Sequence, residues 1–362
     1  MDFLKASGAM LATTMGAGIF AIPALLPQAG WLLTLVYALV LGALISIAHD
    51  IYLRVRINKL NEGLLKIVSE AWGGPVYYFS FLVVAGGLLL TLLIYLILGG
   101  SFLSVLFSGA EMSYLVLAMW FLGVLPFVFS AKRILSIELF GALAMTGLIV
   151  FVLMSAPELN NLFSLPLMRA EGMFLPFGVL LFSLAGWTAV EPTEDGLGLA
   201  KNLPKLNEAL VVGTFSAVIL YALFSMGVIG SGGGYVEGGF ILENWGRGEQ
   251  IIFSILGLVL VLTSFWPIAL ETKRSFSEIN FSGTWSGVIT FGGPLLLYFL
   301  GWQSMLSVME VTGGVFLSIQ YFLIVILGLK FLRLSKLERW GFRVLSFVFL
   351  LGILAAINSW LF

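Results

Sequence analysis

Long apolar runs, separated by short stretches of Gly, Pro and charged residues, dominate this chain of 362 residues. A helix needs about 20 mostly apolar residues to cross the hydrocarbon core of a bilayer. Lipid offers no partners for backbone N–H and C=O groups, so continuous runs of this length cross as helices. Only 10% of the residues are Asp, Glu, Lys or Arg, against about 25% in a soluble domain. The sequence therefore predicts an all-α integral membrane protein and excludes a soluble enzyme.

Eleven apolar runs predict eleven transmembrane helices within a single domain over residues 1–362. The predicted spans cover approximately residues 6–28, 31–53, 75–107, 113–131, 135–155, 173–192, 209–230, 249–271, 284–301, 305–330 and 341–361. The segment 58–72 is amphipathic and predicts a cytoplasmic helix at the membrane surface. The Gly-rich segment 230–240 is too polar to span and predicts an external loop.

The placement of basic residues predicts the orientation of the chain. With the N-terminus inside, sixteen of the 18 Lys and Arg residues fall at cytoplasmic ends of spans, Lys132, Arg133 and Lys201 among them. Only Arg169 and Arg247 then lie outside. Cytoplasmic loops carry an excess of Lys and Arg. We therefore expect a multi-pass protein of the cell membrane with a cytoplasmic N-terminus and an extracytoplasmic C-terminus.

Spans one and six carry glycine and proline near the predicted bilayer centre. Span one has Gly16 and Gly18 at this depth, and Pro23 suits the first turn of a restarted helix. Span six has Gly186 near its middle and Pro192 further on. Glycine adopts backbone dihedrals that a helix forbids, so both spans are predicted to be interrupted. The alternative is that these glycines only allow close packing between helices.

The two interruptions lie five helices apart, which is the spacing that two inverted five-helix repeats require. Repeat one would cover about residues 5–155 and repeat two about residues 172–330, with an extra C-terminal helix over 341–361. In such proteins the substrate lies between the interruptions. Freed N–H groups at the start of a half-helix bind an anion, and freed carbonyls bind a cation. A pocket that offers both suits a zwitterion, that is, an amino acid.

Two stretches of sequence resemble a known family of transporters. The stretch GAGIFAIPALLPQAGW (Gly16–Trp31) resembles the first helix of the amino acid/auxin permease family, within the amino acid–polyamine–organocation superfamily. The stretches FSLAGWTAVEPTED (Phe182–Asp195) and KNLPKLNEAL (Lys201–Leu210) are similar to the sixth helix and following loop of that superfamily. The resemblance implies the LeuT-type fold and transport by alternating access.

Carried over by position, the resemblance also implies a substrate site formed by spans one, three and six. The backbone N–H groups that would meet the substrate carboxylate belong to Gly16, Ala17 and Gly18. The carbonyls that would meet the substrate amino group lie at or near Thr13, Thr14, Phe182, Ser183 and Leu184. Trp187, directly after Gly186, would wall the side-chain pocket opposite Thr91 or Tyr95. The alternative for Trp187 is an ordinary packing role.

The same resemblance suggests where a coupling ion would bind. Sodium-coupled members of the fold hold the ion between span one and a Ser/Thr pair in span eight, and Thr263 and Ser264 lie at a suitable depth. The alternative is that both hydroxyls bond to their own helix or join neighbouring helices. Ala12 stands where the sodium-coupled neutral amino acid branch has Asn, and span five lacks the Lys of several proton-coupled relatives. The sequence therefore does not decide between sodium and protons as the coupling ion.

Two carboxylates at membrane depth are candidates for carrying a proton. A charged side chain in lipid is costly, so its presence there indicates a function. Glu191 lies about one turn beyond the predicted interruption of span six, and Glu310 lies inside span ten. The alternative for each is a wet vestibule or a salt bridge between helices. His49 is the only histidine and falls at the cytoplasmic end of span two, where we expect a solvated structural role.

The sequence predicts a secondary active transporter for neutral amino acids of medium to large size, coupled to a sodium or proton gradient. The alternative is an amino-acid-sensing receptor subunit of the same fold, similar to spore-germination receptors, which binds without turnover. Cys, HExxH, Gly-x-Ser-x-Gly and P-loop motifs are absent, so we predict no enzyme, no cofactor and no metal beyond a sodium ion. The predicted partners are the amino acid, the lipid bilayer and the coupling ion, without nucleic acid, and we expect a monomer.

Overall fold

The computed structural model describes residues 2–59, 62–129, 138–191, 203–236, 239–242, 244–279 and 281–361. Several residues used in the sequence analysis lie outside these ranges, among them Lys132, Arg133, Pro192, Asp195 and Lys201. Helical segments occupy the positions of all eleven predicted spans.

The first half of the described chain is helical. Its elements are α1 (Asp2–Thr14), α2 (Gly18–Ala29), α3 (Trp31–Asn58), α4 (Leu64–Trp72), α5 (Gly74–Leu106), α6 (Met112–Phe129), α7 (Glu138–Met154) and a 3₁₀ segment (Leu159–Ser164). Span six begins with α8 (Leu175–Leu184), and residues 187–191 are again helical.

The second half adds six helices and a small hairpin in the part that the structure describes. They are α9 (Leu203–Gly230), β1 (Gly234–Val236), β2 (Gly239–Ile241), α10 (Arg247–Glu278), α11 (Gly283–Phe299), α12 (Met305–Val311), α13 (Ser318–Phe331) and α14 (Lys336–Leu361). A π-helical turn, Thr312–Leu317, joins α12 to α13 within one span.

The lengths and hydropathies of these helices define a membrane protein. Among the described residues, six helices are long and apolar enough to cross a bilayer alone, and α1 with α2 forms a seventh span bent by 61°. Shorter apolar helices occupy three of the remaining predicted spans, at Met112–Phe127, Leu143–Met154 and Leu175–Glu191. The last remaining span, predicted at residues 284–301, is occupied by α11. The helical membrane architecture is confirmed, while the count of eleven crossings and the inverted repeat stay predictions.

Two segments between spans also have regular structure. The amphipathic segment 58–72 contains α4, whose apolar residues Leu64, Ile67 and Val68 are buried. The segment that was expected to be a plain external loop instead contains the antiparallel pair of β1 and β2. The ring of Phe240 stacks on Phe102 at 4.6 Å between centroids, so burial of this aromatic side chain stabilises a hairpin where composition suggests a loop.

Five phenylalanine rings form a cluster at one side of the helix bundle. Phe20 in α2 contacts Phe102 at 5.0 Å and Phe224 at 5.5 Å between ring centroids. Phe253 of α10 lies 5.2 Å from Phe240 of the hairpin and completes the cluster. These rings occupy the half of the bundle that the distribution of basic residues predicts to be extracytoplasmic.

Candidate substrate site between the interrupted helices

Span one is interrupted over residues 15–17, between α1 and α2. The N–H of Gly16 donates to the carbonyl of Thr14 at 3.1 Å, which is a tight turn and not a helical bond. The N–H groups of Ile19 and Phe20 donate to the carbonyls of Gly16 at 3.5 Å and Ala17 at 3.2 Å, so Gly18 is the first residue of α2 whose amide a helix leaves without an intrahelical partner. Pro23 lies in the second turn of α2 and not in the first turn as expected, because the interruption is only three residues long.

Span six is interrupted at Ala185 and Gly186. Ala185 is extended, with φ −64° and ψ 128°, and ends α8. The N–H of Gly186 donates to the hydroxyl of Tyr321 at 3.1 Å, so a side chain of α13 satisfies the amide that the helix releases. The last carbonyls of α8 lack intrahelical partners in the same way as the Gly18 amide of α2. Both predicted interruptions are therefore present, and any contribution of Pro192 lies outside the described residues.

The two interruptions also touch. A Cβ atom added at Gly18 would lie 2.6 Å from the Cα of Ser183. A Cβ atom at Gly186 would meet the side chains of Met10 and Thr14. These glycines thus permit close packing between helices as well as an irregular backbone. The interruption and the close packing that the sequence analysis gave as alternatives are both present.

A cavity of about 100 Å³ lies between the two interruptions. Eleven of the twelve residues predicted for the substrate site line it: Thr13, Thr14, Gly16, Ala17, Gly18, Thr91, Tyr95, Phe182, Ser183, Gly186 and Trp187. Leu184 does not line the cavity, and its side chain is fully buried in the protein core. The structure brings the other residues together, and their binding of a substrate stays a prediction.

Hydrogen bonds fix the aromatic walls of this cavity. The indole of Trp187 donates to the Gln320 side chain at 2.8 Å, and the Gln320 amide donates to the carbonyl of Val83 at 3.3 Å. The hydroxyl of Tyr95 contacts the backbone of Ala17. Sequence reasoning missed Gln320, although a lone amide in the middle of span ten is the kind of polar residue that marks a site.

The predicted sodium ligands point in two directions. Ser264 contacts the Tyr95 hydroxyl beside the interruption of span one. The hydroxyl of Thr263 donates to the Leu260 carbonyl of its own helix at 3.0 Å and faces Gly141 of α7. The Thr263 hydroxyl thus forms the hydrogen bond within its own helix that was the alternative to binding an ion.

Glu191 forms an ion pair between helices. Its Oε2 atom lies 3.2 Å from Nη1 of Arg56 in α3, and the side chain of Arg56 is 2% exposed. Its Oε1 atom accepts a hydrogen bond from the Tyr52 hydroxyl. Of the interpretations of Glu191, the salt bridge is the one the geometry shows, and a role in carrying a proton stays a prediction.

A different carboxylate lines the cavity. Glu310 lies with its backbone against Gly178 of α8 and does not line the cavity, whereas Glu271 of α10 does. Glu271 lies seven residues, or about two turns, beyond Ser264. Sequence reasoning missed it because it falls on the predicted cytoplasmic end of span eight, where a charged residue is expected to be solvated.

His49 is fully buried, so the expected solvated role was wrong. Its Nε2 atom lies 3.0 Å from the hydroxyl of Tyr321, which also accepts the Gly186 N–H. Its Nδ1 atom is buried and has no hydrogen-bond partner among the described residues. The physical reason is that α3 continues to Asn58, so that His49 lies well inside the helix and under α13.

The fold is shared with solved structures of membrane transporters. The Eremococcus coleocola manganese transporter, in complex with an aromatic bis-isothiourea substituted compound, matches with a TM-score of 0.69 and 12% identity over 99% of this chain and 87% of that one. MhsT in complex with L-phenylalanine matches with a TM-score of 0.66 and 16% identity over 98% of each chain. Mhp1, a nucleobase-cation-symport-1 family transporter in a closed conformation with bromovinylhydantoin bound, matches with a TM-score of 0.56 and 12% identity over 99% and 90%.

These likenesses define the fold of the protein. The chain has the LeuT-type fold of these membrane transporters. In comparisons of sequence, no protein family and no curated protein matches the chain. The resemblance to the amino acid/auxin permease family therefore stays a prediction.

Proposed function

We propose that the protein is a secondary active transporter that moves amino acids across the cell membrane by alternating access. The cavity between the two interrupted helices carries this proposal. The start of α2 at Gly18 and the end of α8 at Ser183 line the same cavity. A helix N-terminus favours a carboxylate and a helix C-terminus favours an ammonium group, so the cavity suits both ends of a zwitterion.

The shape of the site supports a neutral substrate of medium to large size. Aromatic side chains, Trp187 and Tyr95, form part of the wall, and seven of the fourteen other non-glycine residues that line the cavity are apolar. MhsT shares the fold and is complexed with L-phenylalanine in its structure, which supports this substrate class.

The conformation supports alternating access. On the predicted extracytoplasmic side, four of the five phenylalanine rings line a cavity of only about 10 Å³. The larger cavity instead extends along α10 to Glu271, toward the predicted cytoplasmic end of that helix. A site with tight aromatic packing on one side and more space toward the other suits a carrier that releases its substrate in one direction.

Uptake into proteoliposomes tests the proposal. The purified chain would be reconstituted, and accumulation of labelled amino acids would be compared under imposed sodium gradients, imposed proton gradients and no gradient. We expect gradient-driven accumulation above that of protein-free vesicles for at least one neutral amino acid. Binding without accumulation under every gradient would favour the sensing receptor. The absence of both binding and accumulation for every amino acid of the panel would contradict the proposal.

The coupling ion is open to a separate test. If sodium drives uptake through span eight, Thr263→Ala and Ser264→Ala should each reduce sodium stimulation about tenfold or more, because each removes a hydroxyl oxygen from a cation. Thr272→Ala is the matched control, because Thr272 lies in the same helix and its hydroxyl bonds only locally, to the Ile268 carbonyl at 2.7 Å. Sodium stimulation that persists unchanged in both variants would place the ion elsewhere, and an effect of protons alone would indicate proton coupling.

A further inference from the structure

We propose that Tyr221 is a positioning residue that joins the two interrupted helices and holds two carbonyl groups where the ammonium group of the substrate binds. The joining of the helices is independent of the substrate. The assignment of an ammonium group rests on the proposed function.

One hydroxyl group lies between the two interruptions. Tyr221 is in α9 and is 2% exposed. Its oxygen lies 2.7 Å from the carbonyl oxygen of Thr14 and 2.7 Å from that of Ser183. Thr14 is the last residue of α1, and Ser183 lies one residue before the end of α8. A single side chain from a third helix therefore fixes the distance between the two interrupted helices at the wall of the cavity.

The number of protons in this cluster indicates what it binds. A tyrosine hydroxyl has one proton, so Tyr221 donates to only one of the two carbonyls at a time. The other pair of oxygens then lies 2.7 Å apart without a proton between them. The Thr14 carbonyl also accepts the Gly16 N–H at 3.1 Å, so both of its lone pairs are used when Tyr221 donates to it. The Ser183 carbonyl then keeps its acceptor capacity and has no proton from Tyr221. A positively charged donor that approaches from the cavity relieves this shortage of protons, and a carboxylate would increase it.

This argument sets the orientation of the substrate. Thr14 and Ser183 both line the cavity. The N–H groups of an ammonium ion match the carbonyl acceptors at this end, and the amide of Gly18 at the start of α2 matches the carboxylate. Tyr221 acts through the two carbonyls, because it is not itself part of the cavity wall.

Amide hydrogen exchange tests the joining of the helices without any substrate. Tyr221→Phe removes the hydroxyl and keeps the ring, so the volume of the core is unchanged. Ser225→Ala is the control, because Ser225 lies one turn further along α9 and its buried hydroxyl has no partner in the described part of the chain. We expect faster exchange of amides 15–19 and 185–189 in Tyr221→Phe alone. Unchanged exchange in both segments would overturn the joining role.

A pair of matched ligands tests the ammonium assignment. L-phenylalanine and 3-phenylpropionate differ only in the amino group, and their binding to each variant would be measured in the same detergent solution. We expect Tyr221→Phe to weaken binding of L-phenylalanine about tenfold, the effect of one hydrogen bond next to a charge, and to change binding of 3-phenylpropionate less than about twofold.

The outcomes of the two experiments are distinguishable. Equal loss of affinity for both ligands would show that Tyr221 supports the site in general, and would overturn the ammonium assignment. If the wild-type protein binds no amino acid of the panel, the proposed function and the ammonium assignment fail together, whereas the exchange experiment still decides whether Tyr221 joins the helices.

Discussion

Gly18→Val is expected to abolish amino acid uptake, with a loss of about 100-fold or more, because no side chain fits at this position. A Cβ atom there would lie 2.6 Å from the Cα and 2.5 Å from the Cβ of Ser183. Backbone atoms cannot give way as the end of a flexible side chain can, so α2 must move away from α8. A displacement of about 1 Å of binding groups is enough for a loss of this size. Initial rates of uptake into proteoliposomes, at equal amounts of inserted protein, measure it.

Gly8→Val is the matched control for this substitution. Gly8 lies in α1 on the same span, and a Cβ atom there would meet no atom within 4 Å. We expect full uptake from Gly8→Val and equal yields of both variants in the membrane. Gly18→Ala should also lose uptake, since the clash begins at Cβ. Uptake by Gly18→Val within twofold of Gly8→Val would argue against a site between the interrupted helices.

The interruptions were predictable because they leave a local signal. Lipid offers no hydrogen-bond partners to the backbone. Where a glycine pair such as Gly16 and Gly18 interrupts an apolar helix, the backbone groups that are released must therefore find partners inside the protein. The same reasoning applies to Gly186, and the substrate residues that follow from these positions line one cavity. The positions of the spans were predictable for the same reason, since hydropathy records which residues face lipid or the protein interior.

Contacts between distant spans leave no such signal. Tyr221 reads as an ordinary residue of an apolar helix. Gln320 is notable as a lone amide, but only the fold shows that both side chains lie at the interruptions. The hydropathy pattern also ends span two too early, because α3 continues to Asn58. His49 was therefore expected to be solvated, yet neighbouring helices cover it and it is fully buried, as is almost all of Arg56 further along the same helix. Burial by a neighbouring helix is a property of packing, which a pattern along one segment does not contain.

Arg56→Gln is expected to lower the free energy of unfolding by about 3 kcal/mol, because it breaks a largely buried ion pair. Arg56 is 2% exposed in its side chain, and its partner Glu191 is 32% exposed. Removal of one partner from a buried pair costs about 3–5 kcal/mol. We expect the lower value, because water reaches part of the Glu191 carboxylate and stabilises the charge that is left. Titration with SDS in mixed micelles measures the free energy of unfolding.

Uptake should fall together with stability in this variant, because the ion pair holds the second half of span six. Glu191 is the last described residue of the helical segment 187–191, and the ring of Trp187 in the same segment lies 5.8 Å from the ring of Tyr52. Arg54→Gln is the control, because Arg54 is 26% exposed and its pairs with Asp50 and Glu338 should contribute at most about 1 kcal/mol. Combining Arg56→Gln with Glu191→Gln should restore part of the loss, since it removes the unpaired charge. Equal unfolding energies for Arg56→Gln and Arg54→Gln would show instead that the buried pair contributes no more than an exposed one.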